Sequence, residues 1–122
     1  LPVQSAPGLQ EHDRRGVPYF EDKVEFETAV ANFFAHPDEL VFGGETAVEA
    51  TTRFTNAIDR QIAQYPQANL AIVAHGTVLT IFICQYNPNI DPWQFWHSLT
   101  LPCAFVLKLP TRQLVQSLQI DV

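Results

Sequence analysis

Leu70-Ala71-Ile72-Val73-Ala74-His75-Gly76-Thr77 decides how this chain is read. A continuous apolar run bounded by polar Asn69 and by His75-Gly76 has the pattern of a strand buried on both faces, which belongs in a sheet covered by helices. Working outward, Thr77 to Tyr86 predicts a short apolar helix on the C-terminal side. On the N-terminal side, Ala47, Ala50, Phe54, Ile58 and Ile62 line one face of a long helix that opens after Gly43-Gly44 and stops at Tyr65-Pro66. Further upstream, Val24, Phe26, Ala29, Val30, Phe33 and Phe34 recur at helical spacing between Asp22 and Ala35, and His36-Pro37 supplies the stop. Downstream, Asp91-Pro92 offers an N-cap and an N1 proline to a helix over Trp93 to Leu99. Ala104 to Leu109 and Leu114 to Ile120 predict two strands joined by a hairpin turn at Pro110-Thr111-Arg112-Gln113. Leu1 to Gly16, with Pro2, Pro7, Gly8 and Gly16, reads as a short extended piece and a loop. Helices interleaved with apolar strands define an α/β fold with a mixed sheet.

The 122 residues suffice for one packed domain and not for two ordinary ones, so residues 1–122 are read as a single domain. With 13 acidic residues against 7 basic, a net charge of -6 and no Lys/Arg run, nucleic acid is not an expected partner. The longest apolar stretches, such as Val78 to Cys84, fall far short of the roughly 20 residues that span a bilayer, so no membrane partner is expected. Cys84 and Cys103 lie inside apolar segments rather than in a disulfide framework between turns, which favours a reducing, cytoplasmic setting. No secretory signal opens the chain, and the absence of methionine leads us to expect residues upstream of Leu1.

Chemistry concentrates in two places. At Ala74-His75-Gly76-Thr77 the predicted strand delivers a histidine to its C-terminal end, where open α/β sheets bind ligands. Gly76 lets backbone approach a ligand, and the first turn of the next helix offers unpaired N–H groups to an anion. A protonated His75 beside that anion could donate to a phosphoryl oxygen. Taken by itself, the pattern also suits a histidine that only hydrogen-bonds at a strand end. The second place is Gly8-Leu9-Gln10-Glu11-His12-Asp13-Arg14-Arg15-Gly16, dense in ionisable groups for a chain only 16% charged. Functional loops concentrate such groups at clefts. Glu11 is a candidate proton donor, and Arg14 or Arg15 a candidate clamp for an anionic substrate; a solvated loop whose charges pair with one another is the alternative. His12 and His75 lack the companion ligands of a metal site, so neither a metal nor a cofactor is expected. His36 and His97 read as capping or surface residues, Trp93 and Trp96 as core packing, and neither cysteine as a nucleophile.

The Leu9-x-Glu11 loop, the Gly44-Glu45-Thr46 opening of a long helix bearing Arg53, the segment ending in Ala74-His75-Gly76-Thr77 and the closing Leu101-Pro102 strand together resemble the histidine phosphatase superfamily, which includes the phosphoglycerate mutases. The likeness runs in order along nearly the whole chain. It implies a three-layer α/β/α sandwich and a two-step phosphoryl transfer from a phosphomonoester through a phosphohistidine. By position, Glu11 matches the family's general acid and His75 its second pocket histidine, with Gly76 and Thr77 bordering the pocket. Arg14 and Arg15 have no secure counterpart, so their substrate role does not come from the likeness.

The departures are as informative. The chain contains no Arg-His-Gly, the motif that carries the phosphate-accepting histidine, and no counterpart of the phosphate-binding arginine that follows it. The expectation is therefore an N-terminally incomplete domain, inactive by itself, whose full-length parent is a phosphomonoesterase. A non-catalytic module that keeps the anion pocket or apolar surface for a partner is the alternative. Sheet edges left without neighbours invite pairing, so we expect a complementing N-terminal fragment, a strand-exchanged homodimer, or direct pairing of the Leu70 and Ala104 strands.

Overall fold

A computed structural model describes residues 2–17 and 19–119. In chain order it contains α1 (Lys23–Ala35), α2 (Ala47–Gln64), α3 (Gly76–Tyr86), α4 (Pro92–His97), β1 (Cys103–Lys108) and β2 (Gln113–Gln119). Helix starts follow from local chemistry. The Asp22 side chain accepts from Val24 N–H. Thr46 and Glu49 form a reciprocal capping box at the head of α2, and Asp91 caps α4 by accepting from Gln94 N–H, with Pro92 in the first turn.

The apolar face of α2 buries Ala47, Ala50, Phe54, Ala57 and Ile58. Of these, Ala47, Ala50, Phe54 and Ile58 pack with Val78, Ile81, Phe82 and Ile83 of α3 and Phe33 of α1 to form the core. The first helix turns only Val30 and Phe33 fully inward, while Val24, expected on its apolar face, is 67% exposed. The fourth helix buries none of its residues. Trp93 and Trp96, expected as core, instead stack on each other at the periphery with ring centroids 5.6 Å apart.

The expected C-terminal hairpin forms. β1 and β2 pair antiparallel from Cys103 opposite Gln119 to Lys108 opposite Gln113, with a register shift after Val106. Ile120, expected to end the second strand, lies outside the described residues, as does Leu1 of the opening segment. Asn87 fixes the hairpin to the end of α3: its side chain donates to the Ile83 and Arg112 carbonyls and accepts from Leu114 N–H. Arg112, at the turn, lies against the rings of Phe82 and Tyr86 and bonds Asp59 and the Tyr86 hydroxyl.

The α/β class holds. The sheet among the described residues, however, is this two-stranded antiparallel hairpin rather than a mixed sheet. The strand expected over Leu70 to Ala74, buried on both faces, is corrected in two respects. Ile72 and Ala74 pack against the core while Val73 is 90% exposed, so only one face is covered. Among the described residues no ladder partner lies beside it, and the direct pairing expected with the Ala104 strand is absent, because β1 pairs with β2 alone. The alternating burial is that of a strand. What is missing is a neighbour at the roughly 4.8 Å spacing that a ladder requires.

Candidate active site

The acid loop is held against the N-terminus of α3 by its own carboxylate. Glu11 Oε2 accepts from Thr77 N–H at 3.1 Å, and Oε1 accepts from Val78 N–H and from His12 N–H, both at 3.0 Å. Two of the orphan donors of the helix are thereby satisfied, and a negative group sits at the positive end of the helix dipole. The sequence pattern offered these N–H groups to a ligand; the fold gives two of them to Glu11. Gly76 N–H, the first of the helix, has no acceptor among the described residues.

Arg14 completes the junction. Its Nη2 donates to Thr77 Oγ1 at 2.9 Å and its Nε to His12 Nδ1 at 3.4 Å, while the guanidinium lies 5.3 Å from the Phe26 ring centroid and 5.5 Å from that of Phe42. Burial lowers its pKa from the ordinary value, with Glu11 acting in the opposite direction; a guanidinium so placed stays charged. Arg14 makes no ion pair among the described residues. Arg15 goes elsewhere. Its side chain is 92% exposed and grips Asp13 through two hydrogen bonds of 3.0 and 2.9 Å, which hold the Asp13 pKa at about 2. Here the internally paired loop charges are what the fold adopts.

Behind the loop stands a second layer of polar contacts. Arg53 on α2 donates to the carbonyls of Gly8 and Gln10 at 2.8 Å and of Glu11 at 3.3 Å, and binds both carboxylate oxygens of Glu45 at 2.6 and 3.2 Å. Glu45 in turn accepts from Asp13 N–H. Burial alone would raise the Glu45 pKa, but the bonds from Arg53 and Asp13 lower it on balance. Sequence reasoning placed Arg53 and Glu45 only as marks of a resemblance; an arginine on the polar flank of an amphipathic helix was the available signal.

His12 is buried rather than solvated. It is 3% exposed, bonds the Glu45 carbonyl through Nε2 at 3.0 Å and packs on Phe33 and Phe42. Desolvation pushes its pKa below the ordinary 6.5; the carbonyl bond opposes this and the charge of Arg14 adds to it. The unfolded chain therefore takes up a proton near pH 6.5 that the folded chain refuses until lower pH. Folding stability should be level above that value and fall as pH drops below it. Urea midpoints measured from pH 7.5 to 5 should decline in the parent and be flatter in His12→Gln. An undiminished slope in the variant would assign the loss to other groups. The carboxylates of Asp13 and Glu45 act at lower pH, since both are shifted down.

An open cleft of about 580 Å³ is lined by Gln10, Glu11, His12, Asp13, Arg14, Arg15, Glu45 and Arg53. His75 does not line it. His75 is the N-cap residue of α3, with an exposed side chain that makes no capping bond. The fold thus brings Glu11, Arg14, Gly76 and Thr77 to one helix end, with the His75 backbone at the same end. A second groove, about 420 Å³, is lined by uncharged residues including Phe34, Val48, Ile81 and Cys84. Burial raises the Cys84 thiol to about 11, which does not suit a nucleophile.

A family model described as the histidine phosphatase superfamily (branch 1) matches residues 1–114. The chain belongs to that superfamily. Comparison with curated proteins and with solved structures returns no match. Membership in the histidine phosphatase superfamily places the chemistry in the phosphatase and mutase class and fits a phosphorylated small-molecule substrate. Among the described residues of this family member, no helix is long and apolar enough to cross a membrane.

Proposed function

We propose that the α3 N-terminus, with Arg14, His75, Gly76, Thr77 and Glu11, is the phosphoryl-binding half of a phosphomonoesterase that works through a phosphohistidine. The observation that carries this reading is Arg14. A half-buried guanidinium without a carboxylate partner among the described residues is costly to leave unpaired, and a phosphate would complete it. Gly76 N–H supplies a donor at the same helix end, where the exposed His75 side chain would add another. Glu11 borders the same place and would protonate the leaving oxygen once substrate displaces it from the backbone donors. These residues hold no Arg-His-Gly, so the chain is proposed to bind phosphate without turning a substrate over. The phosphate-accepting histidine would have to come from a segment with a different sequence that complements this one.

A second reading, a non-catalytic anion-binding or interaction module, is favoured by one feature: Glu11 already accepts from three backbone donors, two of them at the α3 N-terminus. Calorimetry with inorganic phosphate should show binding by the 122-residue chain, weakened about tenfold in Arg14→Met, the loss of one charge-assisted contact, and weakened in His75→Ala. No binding, or unchanged affinity in Arg14→Met, would remove the anion site from both readings. Hydrolysis of an aryl phosphate only by a form to which an Arg-His-Gly segment of the superfamily has been joined ahead of Leu1 supports the esterase. Silence of both forms, with phosphate bound, supports the module.

A further inference from the structure

The aromatic side chains around Arg14 point to the organic part of the substrate. Phe26 carries the guanidinium on one face of its surroundings and meets Phe20 at 5.6 Å and Trp96 at 5.9 Å between ring centroids. Trp96 in turn stacks on Trp93. The wall reaches the helix end directly: a Cβ built on Gly76 would lie 3.9 Å from Trp96 Nε1. Yet α4, which supplies both tryptophans, buries none of its residues, and Phe20 and Phe26 are only partly covered. Large rings at the edge of a cationic site, and outside the core, are placed to meet a ligand that is apolar at one end and anionic at the other.

We infer that Phe26 and Trp96 are specificity-determining residues and that the substrate is an aryl phosphate, its phosphate at Arg14 and its ring against this wall. The inference rests on the phosphate site proposed above and adds the class of the leaving group. Charge complementarity selects the occupant. A neutral aromatic would leave Arg14 unpaired, and a phosphate on a polyol would lay hydroxyls against ring faces that return few hydrogen bonds. An aryl phosphate satisfies both surfaces.

The chain has only two tryptophans, Trp93 and Trp96, so intrinsic fluorescence reports on the wall itself. Titration with phenyl phosphate should change that fluorescence and give an affinity about tenfold above that for glycerol phosphate, the usual worth of a good aromatic contact plus its buried area. By calorimetry, Trp96→Ala should erase that preference while leaving inorganic phosphate binding unchanged, and Trp96→Phe should keep most of it. Phe26→Ala should erase the preference and also weaken inorganic phosphate, because Phe26 lies against the Arg14 guanidinium. Circular dichroism checks that each variant folds, and Phe26→Leu serves if an alanine variant does not. Equal affinities for phenyl and glycerol phosphate, with both bound, would overturn the inference and leave the phosphate site standing. Phenol binding as tightly as phenyl phosphate would also overturn it, because the charge would then play no part. Loss of all phosphate binding in the parent chain would sink the phosphate site first and this inference with it.

Discussion

Replacing Arg53 with methionine is expected to destabilise the chain by about 3 kcal/mol and to release the acid loop from α3. Methionine keeps an apolar stem of similar length, so the substitution isolates the guanidinium. What it strands is considerable. Glu45 loses the partner that binds both its oxygens, and the carbonyls of Gly8, Gln10 and Glu11 lose a common donor. The Arg53 and Glu45 side chains are only 21% and 13% exposed, so water replaces those bonds poorly. Arg53→Lys should recover less than half of the loss, because an ammonium has three donors and no planar fork to reach acceptors on two sides. Adding Glu45→Gln to the methionine variant should restore some stability by removing the stranded charge. Urea denaturation gives the energies. Hydrogen exchange at Thr77 and Val78 gives the mechanism, since both amides are donors to Glu11 and should exchange faster if the loop has let go. A loss under about 1 kcal/mol with unchanged exchange at those amides would mean that Arg53 does not hold the loop.

That coupling explains which parts of the molecule could be read in advance. Helix ends were legible because their causes are local: Asp22, Thr46 and Asp91 cap within three residues of themselves. The pairing of the Leu70 to Ala74 segment is not legible in this way, because apolarity reports what residues tolerate, whereas a ladder needs a partner from a distant part of a chain. Trp93 and Trp96 show the same division, since spacing placed them on one face of a helix and said nothing about whether that face is covered. At the site, Glu11 and His75 stood out through their motifs. The fold puts the Glu11 carboxylate on the first turn of α3 and the His75 backbone at its cap, while the His75 side chain is exposed and lies outside the cleft. The separation of Arg14 from Arg15 was not legible. Two adjacent arginines are equivalent on paper; Phe26, Phe42 and Thr77 take one, and Asp13 takes the other.

Glu11 also bears on the phosphate site proposed for this helix end. A carboxylate accepting from Thr77 and Val78 N–H occupies the kind of place that suits a phosphate oxygen. On the reading proposed above it is an internal stand-in for that oxygen, which a phosphate would have to displace. The position of the loop that carries Glu11 would then decide whether the site opens, and that loop packs on its far side against a glycine, Gly43.

Gly43→Ala is the second large effect, about 3 kcal/mol of lost stability. Gly43 has φ +79°, where an alanine costs about 1–2 kcal/mol, and its added Cβ would collide with the Asp13 carbonyl oxygen and lie 2.9 Å from His12 Cε1. That carbonyl cannot retreat freely, because it accepts from Gly44 N–H at 2.8 Å, and forced overpacking adds roughly 1–3 kcal/mol. Gly16→Ala is the matched control. Its φ is +82° but a Cβ there meets nothing within 4 Å, so it should lose only the backbone part, about 1 kcal/mol. The difference between the two variants in urea unfolding isolates the close approach of residues 43 and 13 from the cost of the left-handed backbone. Equal losses would show that the loop gives way without resistance, and the packing of Gly43 against Asp13 would then have no role in placing Glu11.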